Sequence, residues 1–264
     1  MDGRSLKVGI IGAGDGGVLN FRTFVELGAE TVAVCDSNLK QFQRMIGRLS
    51  GTIPCHYYAG VNFLTQHVCF YESVEEMLEN HPEINLVVVA TPDNKHYLVS
   101  EIALRRGKNV FLEKPVATTI KELLAFQDLC EAYPGKLIFS ENHSFARPVE
   151  AALRERHRMG SFMVGNTWYV EGECDRLMGG GKWRTEHAYN PCAGGLSHHF
   201  MVMRLFTDSP ICRVRSDGEV ITYKELEKHG GFDTMRGTLE FESGRRLDWM
   251  ICLAIRNKAS LFGH

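Results

Sequence analysis

Through the first half of the 264-residue chain, short apolar bursts alternate with longer amphipathic stretches. The bursts Leu6–Ile11, Thr31–Cys35, Asn85–Ala90, Asn109–Leu112 and Lys136–Phe139 have strand length, and a further short strand is predicted near Val68–Phe70. Helical periodicity falls on Phe21–Leu27, Leu39–Leu49, Ser73–Glu79, His96–Arg106 and Ile120–Tyr133. A segment such as Asn85–Ala90, apolar on both faces from Leu86 onward, suits a parallel strand covered by helices on both faces. Strand and helix in alternation predict an α/β, doubly wound parallel sheet over residues 1–142. The stretch from Ser50 to His67, with its glycines, proline and aromatics, is read as an irregular insertion.

After about Arg147 the pattern changes. A helix over Pro148–Arg158 is predicted to stop at Gly160, followed by period-two segments at Val164–Glu171, Ile211–Arg215, Thr234–Glu242 and Arg246–Ala254. Such alternation predicts an α+β domain over residues 143–264 with a mostly antiparallel open sheet, one face buried and one polar. A loop rich in Gly, His and Arg is expected from Gly172 to His199. Trp168 and Tyr169 are adjacent, so they point to opposite faces, one toward the core and one toward a pocket.

Composition narrows the partners. Thirty Lys plus Arg against 32 Asp plus Glu leave a formal charge of −2. No global field therefore draws the chain to nucleic acid or to an anionic membrane. The eight cysteines lack C-x-x-C spacing, and Cys192 with His187, His198 and His199 forms no zinc-ligand pattern, so reduced thiols and no metal are expected. No signal-peptide pattern opens the sequence and no apolar run reaches spanning length, so the expected compartment is the cytosol.

The chemistry begins at Gly12-Ala13-Gly14-Asp15-Gly16-Gly17, a G-x-G-x-x-G run between a predicted strand and helix. Glycine there permits a tight turn and close backbone approach to a pyrophosphate, while the helix N-terminus offers free N–H donors. The Asp15 side chain must point away from those phosphates. Asp36, 19 residues after Gly17 at the end of the next strand, is placed to accept hydrogen bonds from adenosine ribose hydroxyls, with Ser37 beside it. A 2′-phosphate would meet a like charge, which favours NAD; NADP stays open because Lys40 and Arg44 follow closely. Two more segments follow strand ends, where an open α/β sheet forms its ligand crevice: Thr91-Pro92-Asp93-Asn94-Lys95-His96 and Glu113-Lys114-Pro115. A lysine in such a crevice can steady charge on a reacting oxygen.

Together these residues resemble the Gfo/Idh/MocA oxidoreductases, a family that includes glucose-fructose oxidoreductase and inositol 2-dehydrogenase. The resemblance rests on GAGDGG with Asp36, ATPDNKH, EKP, ENHSFARP, and Trp183-Arg184 followed by a glycine-containing loop with His198. It implies a Rossmann domain followed by an α+β domain whose open sheet supports a homo-oligomer, dimer or tetramer. It also implies NAD(P)-dependent hydride transfer on a small sugar-like or polyol substrate. By the same resemblance Lys114 is the catalytic lysine and His198 the acid–base histidine, with His199 as the alternative one position on. Glu113, Pro115, Thr91, Pro92, Asn94 and His96 line the cofactor; Asn142, His143, Trp183, Arg184 and His199 lie toward the substrate. The chain departs from the family in two respects. Gly194 stands where an aspartate is usual four residues before the histidine, and the length is short, as in a truncated or reduced member. Either the second acid is then dispensable, or His199, Glu171, Glu173 or another nearby group substitutes for it, or catalysis is impaired. The departures keep two other functions in play: glycoside cleavage through transient oxidation by bound NAD, and a catalytically weak nucleotide-binding regulator.

Overall fold

The computed structural model describes residues 5–51, 68–171, 191–207 and 209–254. The chain forms two compact units, Met1–Ser140 and Glu141–His264.

The first unit carries six strands, β1 (Lys7–Ile11), β2 (Glu30–Cys35), β3 (Cys69–Tyr71), β4 (Leu86–Val89), β5 (Asn109–Leu112) and β6 (Leu137–Phe139), all parallel in the order β3-β2-β1-β4-β5-β6. Between them run α1 (Asp15–Glu26), α2 (Leu39–Leu49), α3 (Val74–Asn80), α4 (His96–Arg105) and α5 (Ile120–Ala132). Strand periodicity divides the core into two layers. Leu86 and Val88 of β4 join Val8 and Ile10 of β1 against Val18, Phe21 and Phe24 of α1 and Met45 and Leu49 of α2. Val87 and Val89 point the other way, toward Met77 of α3, Ala103 and Leu104 of α4, and Phe126 and Leu129 of α5. Each aliphatic side chain so enclosed contributes about 1.5–3 kcal/mol. This two-sided burial is why the run reads as uniformly apolar. Asn38, Ser73 and Thr119 cap α2, α3 and α5 by accepting from Lys40, Glu76 and Glu122 amides.

One boundary differs from the sequence expectation: α1 begins at Asp15, directly on the glycine run, rather than at Phe21. Gly16 and Gly17 are poor helix formers, and packing of Val18 and Phe21 overrides that preference.

The second unit opens with a short 3-10 turn at Asn142–Phe145, then α6 (Arg147–Met159), β7 (Val164–Val170), α7 (Pro191–Phe206), β8 (Ile211–Glu219), β9 (Thr234–Phe241) and β10 (Arg246–Cys252). The sheet order is β7-β10-β9-β8; the β8–β9 and β9–β10 pairs are antiparallel, and β7–β10 is parallel. One face of the sheet packs on α7 through Cys192 and Leu196 against Leu239, Leu247, Trp249 and Ile251. Two expectations are corrected here. The loop predicted to reach His199 ends earlier, because residues from Pro191 onward are helical; proline suits a first helical turn, and burial of Cys192 and Leu196 outweighs Gly194 and Gly195. Strand β8 continues past Arg215 to Glu219 because its ladder to β9 continues. Trp168 is 70% exposed and so is not core, whereas Tyr169 packs against His199. Among the described residues no helix is long and apolar enough to cross a membrane.

Candidate active site

In the first unit the glycine run forms a closed corner at the end of β1. Gly12 adopts φ +100°, its N–H donates to Cys35 O at 2.8 Å, and a Cβ on it would lie 2.3 Å from Ala90 O. A Cβ on Gly17 would lie 2.0 Å from Gly12 O, so the helix can approach the strand this closely only without a side chain. Around Gly14, by contrast, a Cβ would meet nothing within 4 Å. Gly14 is the N-cap of α1 and makes no side-chain cap; Val18 N–H is already paired to Gly14 O at 3.0 Å, and the amides before it have no acceptor one turn back. Open space beside unpaired helix amides is what a diphosphate requires.

The Asp15 carboxylate pairs with Arg48 of α2 at 2.5 Å, which draws its charge toward α2. Asp36 is less free than its sequence position suggests. Its Oδ2 accepts from Ala13 N at 2.8 Å and its Oδ1 from Asn38 N at 2.8 Å, so it buttresses the glycine loop. A carboxylate has about four acceptor positions, and two remain for a ribose. Ser37 is exposed beside it.

Buried His96 joins the other two segments: its Nδ1 lies 2.8 Å from Pro115 O and its Nε2 3.1 Å from Thr91 O. The Lys114–Pro115 peptide is cis. Pro92 precedes the short turn Asp93–Lys95, with Asn94 exposed on it. Glu113 is held by Asn20, whose Nδ2 donates to Glu113 Oε1 at 2.7 Å and to Gly16 O at 2.9 Å. Asn20 thereby ties the EKP corner to α1; sequence reasoning missed it because nothing marks an asparagine inside a helix as reaching a distant loop. Lys114 is half-buried on that corner.

In the second unit, three groups come together at α7. His198, buried, has Nδ1 2.9 Å from Glu141 Oε2, and the exposed ring of His143 stacks on it with centroids 4.0 Å apart and planes 18° apart. The next helical position points elsewhere: His199 Nδ1 contacts Thr167 Oγ1 of β7, and its ring stands edge-on to Tyr169 at 5.2 Å. Burial pushes the His199 imidazole below its ordinary value, and neighbouring His143 and His198 push it further the same way. Tyr169 OH donates to Glu171 at 2.6 Å, so Glu171 is engaged there. Asn142 is exposed at the start of the turn. Trp183, Arg184 and Glu173 lie outside the described residues. Glu141, buried, is the residue of this cluster that sequence reasoning missed; its place in ENHSFARP, two residues before His143, is the only hint.

Residues 6–141 match the family described as the oxidoreductase family with an NAD-binding Rossmann fold. The chain belongs to the Gfo/Idh/MocA oxidoreductases. Its first unit is the NAD-binding Rossmann domain of that family, and the cradle at Gly12–Gly17 with Asp36 fits the cofactor. Among relatives by sequence, glycosyl hydrolase family 109 protein 2 of Shewanella sp. (strain ANA-3) is 26% identical over 194 residues, covering 69% of this chain and 40% of the relative. The chain thus spans less than half the length of that relative. Among solved structures, myo-inositol 2-dehydrogenase from Lactobacillus plantarum superposes with a TM-score of 0.77 at 18% identity, covering 95% of this chain and 71% of the other. Scyllo-inositol dehydrogenase from Lactobacillus casei, with bound NAD(H) and scyllo-inositol, gives 0.74 at 19%, again over 95% and 71%. At those identities the likeness to both solved structures is one of fold.

Proposed function

We propose that this Gfo/Idh/MocA protein is an NAD-dependent dehydrogenase or reductase that moves hydride between the nicotinamide and a carbinol or carbonyl carbon of a small sugar or polyol. The observation that carries the reading is the glycine corner buttressed by Asp36 in a chain of this family. When bound, NAD supplies the hydride acceptor and, reduced, the donor. The chain supplies the rest. The amides opening α1 hold diphosphate charge, and Asp36 selects a free ribose over a 2′-phosphate. Lys114 holds a reacting oxygen by hydrogen bond as charge develops on it, and His198 takes and returns the hydroxyl proton. Asn142, His143, Trp183, Arg184 and His199 are assigned to the substrate side. Inositols are the first substrates to try, since two structurally similar proteins are inositol dehydrogenases. Its cytosolic location and its assembly as a dimer or tetramer belong to the same proposal.

A second reading has one observation in its favour, the similarity to a glycosyl hydrolase family 109 protein. Thermal denaturation with NAD, NADP and a panel of inositols, sugars and aryl glycosides tests both. A ligand at 100 times its Kd stabilises the fold by about 2.7 kcal/mol and raises Tm accordingly. Stabilisation by NAD together with net NADH formation from a polyol is the expected result. Release of aryl alcohol without net NADH would move the assignment to glycoside cleavage, and no shift with either coenzyme would refute both.

A further inference from the structure

We infer that Glu141 is the positioning residue that fixes the tautomer of His198, resting on the acid–base role proposed above for that histidine. Gly194, one helical turn before His198 on α7, brings no side chain, so an acidic partner for this imidazole has to come from another element. The contact is direct: Glu141 Oε2 lies 2.9 Å from His198 Nδ1, and both side chains are 9% exposed. A carboxylate only accepts, so this contact requires the ring hydrogen to sit on Nδ1. In a neutral imidazole Nε2 then carries the lone pair and is the atom able to take a proton. The His143 ring, stacked on that of His198 with centroids 4.0 Å apart, hinders rotation of the His198 ring out of its plane on that face. Among the described residues His199 has no comparable carboxylate partner: its Nδ1 meets the Thr167 hydroxyl, which can donate or accept and so imposes no tautomer. Carboxylate, imidazole and stacked ring therefore form an oriented base, with the acid supplied by the turn before α6 instead of by the histidine's own helix.

The test reads the ring itself as well as turnover. The full chain, labelled with ¹⁵N-histidine, is examined at a pH where an ordinary imidazole is neutral, and the His198 signals are assigned by their loss in His198→Gln. Wild type is expected to show the Nδ1–H tautomer. Glu141→Gln, whose amide can donate as well as accept, is expected to raise the Nε2–H share. It should lower kcat by about 10²–10⁴-fold on the polyol turned over fastest, with KM and NAD affinity near wild type. Glu141→Asp, which keeps a carboxylate, should recover part of both. A wild-type ring in the Nε2–H form, or a Glu141→Gln protein with unchanged ring spectrum and kcat, would overturn the inference. A Glu141→Gln ring that changes tautomer while His198→Gln still turns over at the wild-type rate would leave the positioning intact and sink the acid–base role instead.

Discussion

Replacing Asp36 by alanine removes two separable things, and the structure allows each to be weighed. One is charge. Two unit charges 4 Å apart interact by about 1 kcal/mol in water and about 4 kcal/mol at an effective dielectric constant near 20. A 2′-phosphate at the ribose edge therefore meets a penalty of that order, or about 5- to 1000-fold in affinity. The other is the hydrogen bond at 2.8 Å from Ala13 N to Asp36 Oδ2, which holds the glycine corner. Losing a bond to a charged acceptor costs about 1.5–3 kcal/mol where water cannot replace it, and less at this half-buried site. Asp36→Ala is thus expected to weaken NAD about tenfold while NADP is held equally well or better, so the affinity ratio moves by at least about tenfold. Asp36→Asn keeps an acceptor and removes the charge, so it should shift the ratio with a smaller loss of NAD affinity. Isothermal titration with both coenzymes at low and high salt makes the measurement, since the electrostatic part shrinks with ionic strength. Equal losses for NAD and NADP would refute the ribose assignment and leave Asp36 as a loop buttress only.

Two further perturbations follow from the geometry. Under the role proposed for Lys114, a contact made as the reacting oxygen gains charge, Lys114→Ala should leave the Kd for NAD within a few-fold and lower turnover by about two orders of magnitude or more; unchanged kcat would exclude Lys114 from the chemistry. Asp233, fully buried, accepts from the amides of Ile221 (2.9 Å), Thr222 (2.7 Å) and Tyr223 (2.9 Å) and from the Thr234 hydroxyl. Burial by itself would raise its carboxyl, but the donors of Ile221, Tyr223, Thr222 and Thr234 together outweigh it and hold the carboxyl below its ordinary value. Its stabilisation is therefore complete above the unfolded value near 3.9 and is lost as pH falls through the lower folded value. Asp233→Ala strands three amides and should cost about 2–4 kcal/mol by urea denaturation at neutral pH; the gap between variant and wild type should close in acid. A gap independent of pH would contradict this account.

The order of elements in the first unit was legible because strand and helix periods are local properties. Leu86–Val89 is apolar at every position since each face of β4 meets a different helix layer, and a glycine run between a strand and a helix permits few alternatives. Asp36 stood out for the same reason, at a fixed interval from that run, but its bonds to the Ala13 and Asn38 amides were not legible. The second unit was less so. Gly194 and Gly195 lower helix propensity, and only the burial of Cys192 and Leu196 against the sheet makes residues from Pro191 helical. Once helical, His198 and His199 point about 100° apart around α7, and that rotation sends one to Glu141 and the other to Thr167. The chain alone thus marked candidates for chemistry, because glycine, aspartate, lysine and histidine stand out by type and spacing, whereas Asn20 and Glu141 did not. Which atoms they face was decided by tertiary packing: contacts spanning 93 residues for Asn20–Glu113 and 57 for Glu141–His198 leave no local trace in sequence.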